Sequence, residues 1–185
     1  NGYVNGENSS VFSGTVTTYT TTYTATTNAG TAVATITPII SGLTAANYTF
    51  SAVSGNINVT ANGITITATG PSKTYGTALS AGTSATNFTV TGTLASGEII
   101  TSVTLTPNAA GLSSTTAAGT SYVGTPSAAT GAGGFLASNY NITYTAFNGT
   151  VSQKALTITA NNTTKPYGTT QSTPVSGSTA FTSSG

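Results

Sequence analysis

Two short segments of this chain occur twice, and the distance between their copies limits what the chain can fold into. Ile64-Thr65-Ile66-Thr67-Ala68 returns as Leu156-Thr157-Ile158-Thr159-Ala160, and Lys73-Thr74-Tyr75-Gly76 returns as Lys165-Pro166-Tyr167-Gly168, each 92 positions later. Asn47-Tyr48-Thr49-Phe50 returns as Asn139-Tyr140-Asn141-Ile142 at the same displacement. A period of about 92 residues is enough for a domain with its own core, whereas solenoid repeats span roughly 20 to 50. The sequence therefore predicts tandem whole domains.

Alternating polar and apolar residues predict strands along the chain, and no helical period is sustained. The predicted strands cover 11–27, 31–40, 47–53, 57–60, 64–68, 88–94, 99–106 and 136–147, and glycine-rich loops are predicted around 120–123. Segment 47–60 is typical of a hairpin, Asn148-Gly149 predicts a second hairpin turn that continues through 150–152, and the glycines of 131–134 predict a flexible tract. The predicted fold class is all-β, with immunoglobulin-like β-sandwich domains in an extended array.

The repeat also predicts where the domains begin and end. Residues 64–155 form one complete domain, 1–63 the C-terminal part of another, and 156–185 the N-terminal part of a third. The twelve residues from Phe181 through the end and on from Asn1 to Glu7 match the eleven residues Phe88 to Glu98. We therefore expect 156–185 of one copy to be completed by 1–63 of a neighbouring copy.

The composition excludes several classes of function. Charged residues make up 3% of the chain, the net charge is +1, and there is no histidine or cysteine. Soluble domains usually carry about 25% charged residues, so Thr, Ser, Asn and Gly must supply solubility here. Neither nucleic acid nor membrane insertion is expected, because a basic surface and a long apolar run are both missing from the sequence. The amino terminus lacks a signal-peptide pattern, so a secreted form would be cut from a longer precursor.

The residue types that are missing from the sequence exclude the common catalytic arrangements. Without His, Cys or Asp the chain has no Ser/His/Asp or Cys/His arrangement and no zinc site, and each domain carries a single glutamate, which leaves no carboxylate pair. A Ser–Lys arrangement at Ser72-Lys73 is formally possible, but a solvated lysine in a turn is the simpler interpretation. We expect a non-enzyme without cofactor or metal.

Four of the five charges are repeated with the period, which gives them possible structural roles. Lys73 is predicted to pair with Glu98, and Lys165 with Glu7 of the next copy. The alternative is independent surface charges, since exposed pairs contribute only about 0–1 kcal/mol. A self-formed isopeptide bond from Lys73 or Lys165 to an asparagine is a further hypothesis, and it requires a buried lysine beside the carboxyl group.

The Lys-x-Tyr-Gly turns and the threonine rows each admit a binding and a structural interpretation. Tyr75 and Tyr167 can stack on sugars, or pack against the sheet edge. Gly76 and Gly168 are predicted to adopt positive φ. Rows such as Thr65/Thr67 suggest an ice-binding face, but a twisted sandwich offers no long flat ladder. Asn-x-Ser/Thr triplets permit glycosylation without indicating it.

The repeated motifs resemble those of a known family. Tyr3-Val4-Asn5-Gly6-Glu7, Asn47-Tyr48-Thr49-Phe50 and Ile64–Ala68 followed by Ser72-Lys73-Thr74-Tyr75-Gly76 are similar to the MBG and YDG repeats of very large bacterial surface proteins. The resemblance implies secreted, cell-surface, adhesin-like proteins built from tandem β-sandwich domains. Typical members carry Asp where Asn161-Asn162 and Gly76-Thr77 stand here. A calcium-rigidified linker is therefore not expected, because calcium needs several carboxylate oxygens.

These observations predict a structural repeat of an extracellular bacterial filament or adhesin stalk. Its expected partners are neighbouring copies, joined head to tail, with lateral bundling through Thr-rich edge strands that carry almost no charge. The alternative is a surface module that binds glycans or ice through exposed Tyr or Thr faces.

Overall fold

The computed structural model describes residues 2–170 and 181–185, and within them the chain is all-β as predicted. The only helices described are α1 (Ala109–Leu112) and the two 3₁₀ turns Ser9–Val11 and Ala137–Asn139. The strands are β1 Phe12–Ser13, β2 Tyr19–Thr21, β3 Gly30–Pro38, β4 Thr44–Ala45, β5 Gly55–Val59, β6 Asn62–Ala68, β7 Gly82–Ser84, β8 Phe88–Gly92, β9 Ile99–Pro107, β10 Ser121–Ala132, β11 Tyr140–Thr145, β12 Phe147–Thr150, β13 Thr157–Ala160 and β14 Phe181–Ser184.

The strands form five sheets. The four-stranded sheet has the order β12-β10-β9-β7, and two three-stranded sheets have the orders β11-β6-β8 and β2-β3-β5. The pairs β1-β4 and β13-β14 form two-stranded sheets. Six strand pairs are antiparallel, among them β13 and β14, in which Ala160 lies opposite Phe181. An isolated bridge between Thr74 and Ser152 is parallel.

The residues divide into two compact units. The first comprises Asn1–Ile66, Val90–Ser102 and Ala129–Thr143. The second comprises Thr67–Thr89, Val103–Ala128 and Tyr144–Gly185. The domain boundaries predicted near residues 63 and 155 stay a prediction, as does the immunoglobulin-like tandem arrangement.

The core is built from alternating positions of the longer strands. In β6 the side chains of Ile64, Ile66 and Ala68 are buried while the residues between them are not, which is the period of two of a strand with one covered face. Val103 and Leu105 repeat this pattern in β9. The predicted alternation in 136–147 is confirmed, because Tyr140, Ile142 and Tyr144 are each less exposed than their neighbours.

The first predicted strand is much shorter than expected. Residues 11–27 contain only β1 and β2, each two or three residues long. Gly14 follows β1 with φ of +92°, which ends the extended conformation there. The second predicted strand is confirmed as β3, and Pro38 is its last residue, where a missing main-chain donor costs least.

The hairpin predicted for 47–60 is wrong. Residues 48–54 belong to no strand, and β5 pairs with β3 instead. Aromatic contacts hold the segment: the Tyr48 ring lies 6.1 Å from that of Tyr3, and the Phe50 ring lies 5.7 Å from that of Phe12. Local alternation identified the extended residues but not their partners.

The second predicted hairpin is also wrong, and its glycine has another role. Asn148 and Gly149 lie inside β12, which pairs with β10 and not with β11. A Cβ atom on Gly149 would lie 2.4 Å from Cζ of Tyr122, so this glycine makes room for a buried ring. The prediction of a flexible tract at 131–134 is wrong for residues 131 and 132, because β10 continues to Ala132.

Candidate functional site

The Lys73 turn is the most unusual polar feature of the second unit. Only 2% of the Lys73 surface is exposed, and its Nζ donates to the carbonyl oxygens of Thr77 and Ser113, the latter at 2.7 Å. The Thr77 hydroxyl donates to the carbonyl of Thr74 at 2.6 Å, which closes the turn. A buried ammonium group is costly unless its donors are satisfied, and here main-chain carbonyls supply the acceptors.

The Lys165 turn has the same local geometry without the same burial. Nζ of Lys165 donates to the carbonyl of Thr169 at 2.9 Å, and the Thr169 hydroxyl donates to the carbonyl of Pro166 at 2.9 Å. Both lysines therefore contact the carbonyl four residues ahead. The counterpart of the Ser113 contact is missing among the described residues, and Lys165 is exposed.

The glycines of the two turns behave as predicted. Gly76 has φ of +88° and Gly168 has φ of +82°, a region that favours glycine. The tyrosines before them are open to solvent: Tyr75 is half-exposed and Tyr167 fully exposed. Sugar stacking by Tyr75 and Tyr167 stays a prediction.

Glu98 has a partner that the sequence analysis did not identify. Its carboxylate accepts a hydrogen bond of 2.6 Å from the Tyr140 hydroxyl, and that hydroxyl accepts one of 2.9 Å from the amide of Ala95. The Glu98 amide donates to the carbonyl of Ala95, so the glutamate and the amide belong to one turn. Burial raises the pKa of the Tyr140 hydroxyl above its ordinary value, and the hydrogen bond to Glu98 raises it further.

The same arrangement occurs at the beginning of the chain. The Tyr48 hydroxyl donates to the carboxylate of Glu7 and accepts from the amide of Val4 at 3.2 Å. The Glu7 amide donates to the carbonyl of Val4 at 3.0 Å. The hydrogen bond to Glu7 is the main reason that the pKa of Tyr48 is raised. We call these two arrangements the tyrosine–glutamate clamps.

The sequence held a signal for the clamps. Tyr48 and Tyr140 belong to a repeated motif, and Glu7 and Glu98 are also repeated, but opposite charges predict lysine partners for the two glutamates. In the structure Lys73 donates to main-chain carbonyls, and the Glu98 carboxylate accepts from Tyr140. The sequence signal for the clamps is that the tyrosine and the glutamate are separated by nearly the same number of residues in both pairs.

The hydrogen bonds of Lys73 also bear on the isopeptide hypothesis. The lysine is buried, as that chemistry requires, but its ammonium group contacts two main-chain carbonyls. Neither an asparagine amide nor a carboxylate is among its hydrogen-bond partners in the described part of the chain. The arrangement therefore offers the ammonium nitrogen no side-chain carbonyl to attack.

One cavity of about 410 Å³ lies within the first unit. Its polar lining includes Asn28, Asn62, Glu98 and Asn139. The Asn139 side chain accepts from the amide of Ala29 and donates to Asn28, while that of Asn62 donates to the carbonyl of Thr93. Since these groups bond to the protein itself, the cavity favours a structural role over a polar ligand site.

No group of three or more His, Cys, Asp or Glu residues that could hold a metal ion occurs in 2–170 or 181–185. None of the helices in these ranges combines the length and apolar character that a bilayer crossing requires.

Comparison with known proteins does not assign the chain to a family. No protein-family model, curated protein or solved structure matches this chain. The resemblance to MBG and YDG repeats therefore stays a prediction. What the structure adds is the repetition of geometry: a strand, a lysine turn and a tyrosine–glutamate clamp each occur twice.

Proposed function

We propose that this chain is a structural, non-catalytic repeat of an extracellular filament or adhesin stalk, in which copies join head to tail. The observation that carries the proposal is a difference in burial between the two copies of one strand. Ile66 in β6 is 0% exposed, whereas Ile158 at the same place in β13 is 56% exposed. Its neighbours differ in the same way, since Ile64 is 3% and Leu156 68% exposed.

This difference supplies a driving force for assembly. Burying a fully exposed isoleucine or leucine side chain contributes roughly 1.5–3 kcal/mol. Leu156 and Ile158 are 68% and 56% exposed, so covering both favours association by about the amount of one such side chain. A side chain that forms the core of one repeat has the right shape for the core of another. The surface around β13 is therefore best explained as half of a domain whose other half is supplied by a neighbour.

The low charge fits an assembly of many copies. With a net charge of +1, copies repel each other weakly, and contacts between them do not depend on ion pairs that salt would screen. A filament of this kind is expected to hold together over a wide range of salt concentration and pH. Few charges also mean few lysines at which trypsin can cleave.

The test is the size of the purified 185-residue chain as a function of concentration. Light scattering should show growth beyond a single copy, and negative-stain images should show linear particles with a regular axial repeat. Growth should persist when sodium chloride is raised. A chain that remains a single copy at all accessible concentrations would refute the proposal.

A further inference from the structure

The two copies of the repeated strand differ in their number of neighbours. β6 lies between β11 and β8, so both of its edges are paired. β13, its copy 92 positions later, pairs with β14 on one edge, and no described strand lies on the other. A free edge exposes main-chain donors and acceptors that can accept a further strand.

The segment that corresponds to β11 in the other repeat forms no strand pair among the described residues. Tyr140–Thr145, which form β11, correspond to residues 48–53, 92 positions earlier. Those residues are in no strand here, and Thr49, Ser51, Ala52 and Val53 are exposed. Among the described residues, β13 thus has no strand on one of its edges, and the segment 48–53 is in no strand. Their counterparts, β6 and β11, lie side by side in the sheet β11-β6-β8.

The segment is already anchored as β11 is. Tyr140 is the first residue of β11 and is held by the clamp to Glu98 and Ala95. Tyr48 begins the segment 48–53 and is held by the equivalent clamp to Glu7 and Val4. Pairing of the residues that follow Tyr48 therefore leaves the anchor unchanged.

The geometry points to a specific joint: residues 48–53 of one copy add as a strand to the free edge of β13 in a second copy. This inference rests on the proposed head-to-tail assembly and names the contact that produces it. The joint gives β13 the second neighbouring strand that β6 has, and we expect the copy that supplies this strand to pack against Leu156 and Ile158, whose counterparts Ile64 and Ile66 are buried. The joint is directional, because one copy contributes the edge of its β13 and the other copy contributes its segment 48–53.

Directionality permits a complementation experiment with two defective variants. Ile158→Asp places a charge on the face of β13 that the joint must bury, and 56% exposure of this side chain predicts that a single copy still folds. Ser51→Pro combined with Ala52→Pro removes two adjacent main-chain donors, one for each side of a strand, from residues that are exposed and in no strand. Circular dichroism checks that both variants keep the native spectrum.

Matched controls separate the joint from general effects of the substitutions. Thr159→Asp carries the same charge on the opposite face of β13, at the position of Thr67, which is only half-buried in β6. Ser51→Thr combined with Ala52→Thr changes the same two positions but retains the main-chain donors. Both controls should assemble at the same concentrations as the native chain.

The expected result is assembly only where an intact β13 edge meets an intact segment 48–53. Each defective variant alone should need at least about a tenfold higher concentration to assemble, since burying the unpaired charge of Ile158→Asp and losing the main-chain hydrogen bonds at the two prolines each cost at least a factor of this size. An equal mixture of the two variants should form dimers and stop there. Size-exclusion chromatography with light scattering distinguishes one, two and many copies.

Other outcomes separate the two proposals. If the native chain assembles but both defective variants assemble equally well, the joint is wrong and the filament proposal stands. If the mixture forms no dimers while the native chain assembles, the joint is likewise overturned. If the native chain does not assemble, both proposals fail.

Discussion

The Tyr140 hydroxyl donates to the carboxylate of Glu98 at 2.6 Å while accepting from the amide of Ala95. The second clamp, between Tyr48 and Glu7, repeats this arrangement at the other copy of the motif. A tyrosine that joins a carboxylate to the turn carrying it fixes where the following segment begins. The clamps therefore fix where β11 begins after Tyr140 and where the segment 48–53 begins after Tyr48.

Removal of the Glu98 carboxylate should destabilise the fold. Glu98→Ala leaves the largely buried Tyr140 hydroxyl without its acceptor, and we expect a loss of about 1–3 kcal/mol in the free energy of unfolding, measured with chemical denaturant. Glu98→Gln retains an acceptor oxygen and should lose less. Equal losses in the two variants would contradict a role for this hydrogen bond.

The Tyr140 clamp also predicts a dependence of stability on pH in the alkaline range. The pKa of Tyr140 in the folded chain is raised above its ordinary value of 10.0, so folding favours the protonated hydroxyl. The resulting stabilisation is fully present below pH 10 and is lost as the pH rises through the raised pKa. Tyrosinate absorbance should show a late ionisation step to which Tyr140 contributes together with Tyr48 and Tyr122, whose pKa values are also raised, and Tyr140→Phe should reduce the amplitude of that step.

The two lysine turns offer a matched pair of substitutions. Lys73→Met removes the donor to two main-chain carbonyls in a buried site, and we expect about 1–3 kcal/mol of destabilisation. Lys165→Met alters an exposed side chain and should leave the unfolding of a single copy nearly unchanged. The comparison is made by thermal unfolding at a concentration where the chain is monomeric. Similar losses at both positions would show that burial of Lys73 has no energetic consequence.

Gly149 should not tolerate a side chain. Gly149→Ala places a methyl group 2.4 Å from the Tyr122 ring, and overpacking of this kind costs about 1–3 kcal/mol. Gly63→Ala is the control, because nothing lies within 4 Å of its Cβ position. Denaturant unfolding should place Gly149→Ala well below the control. A strand that simply shifts to relieve the clash would make the two variants alike.

Several elements could be predicted from the sequence because their cause is local. The alternation of Ile64, Ile66 and Ala68 identified β6, since a strand with one covered face has a period of two. The positive φ of Gly76 and Gly168 followed from their place in a turn. The repeat itself, with its period of 92, needed only the order of residues.

Only the tertiary structure decided which segments meet. Asn148-Gly149 has the composition of a hairpin turn, yet it lies inside β12 because the buried ring of Tyr122 needs a neighbour without a side chain. Ile66 and Ile158 occur in the same motif but differ in burial, since neighbouring strands, not the strand's own residues, determine what covers it. Sequence patterns specify the conformation of a segment, whereas packing selects its partner among many segments with the same pattern.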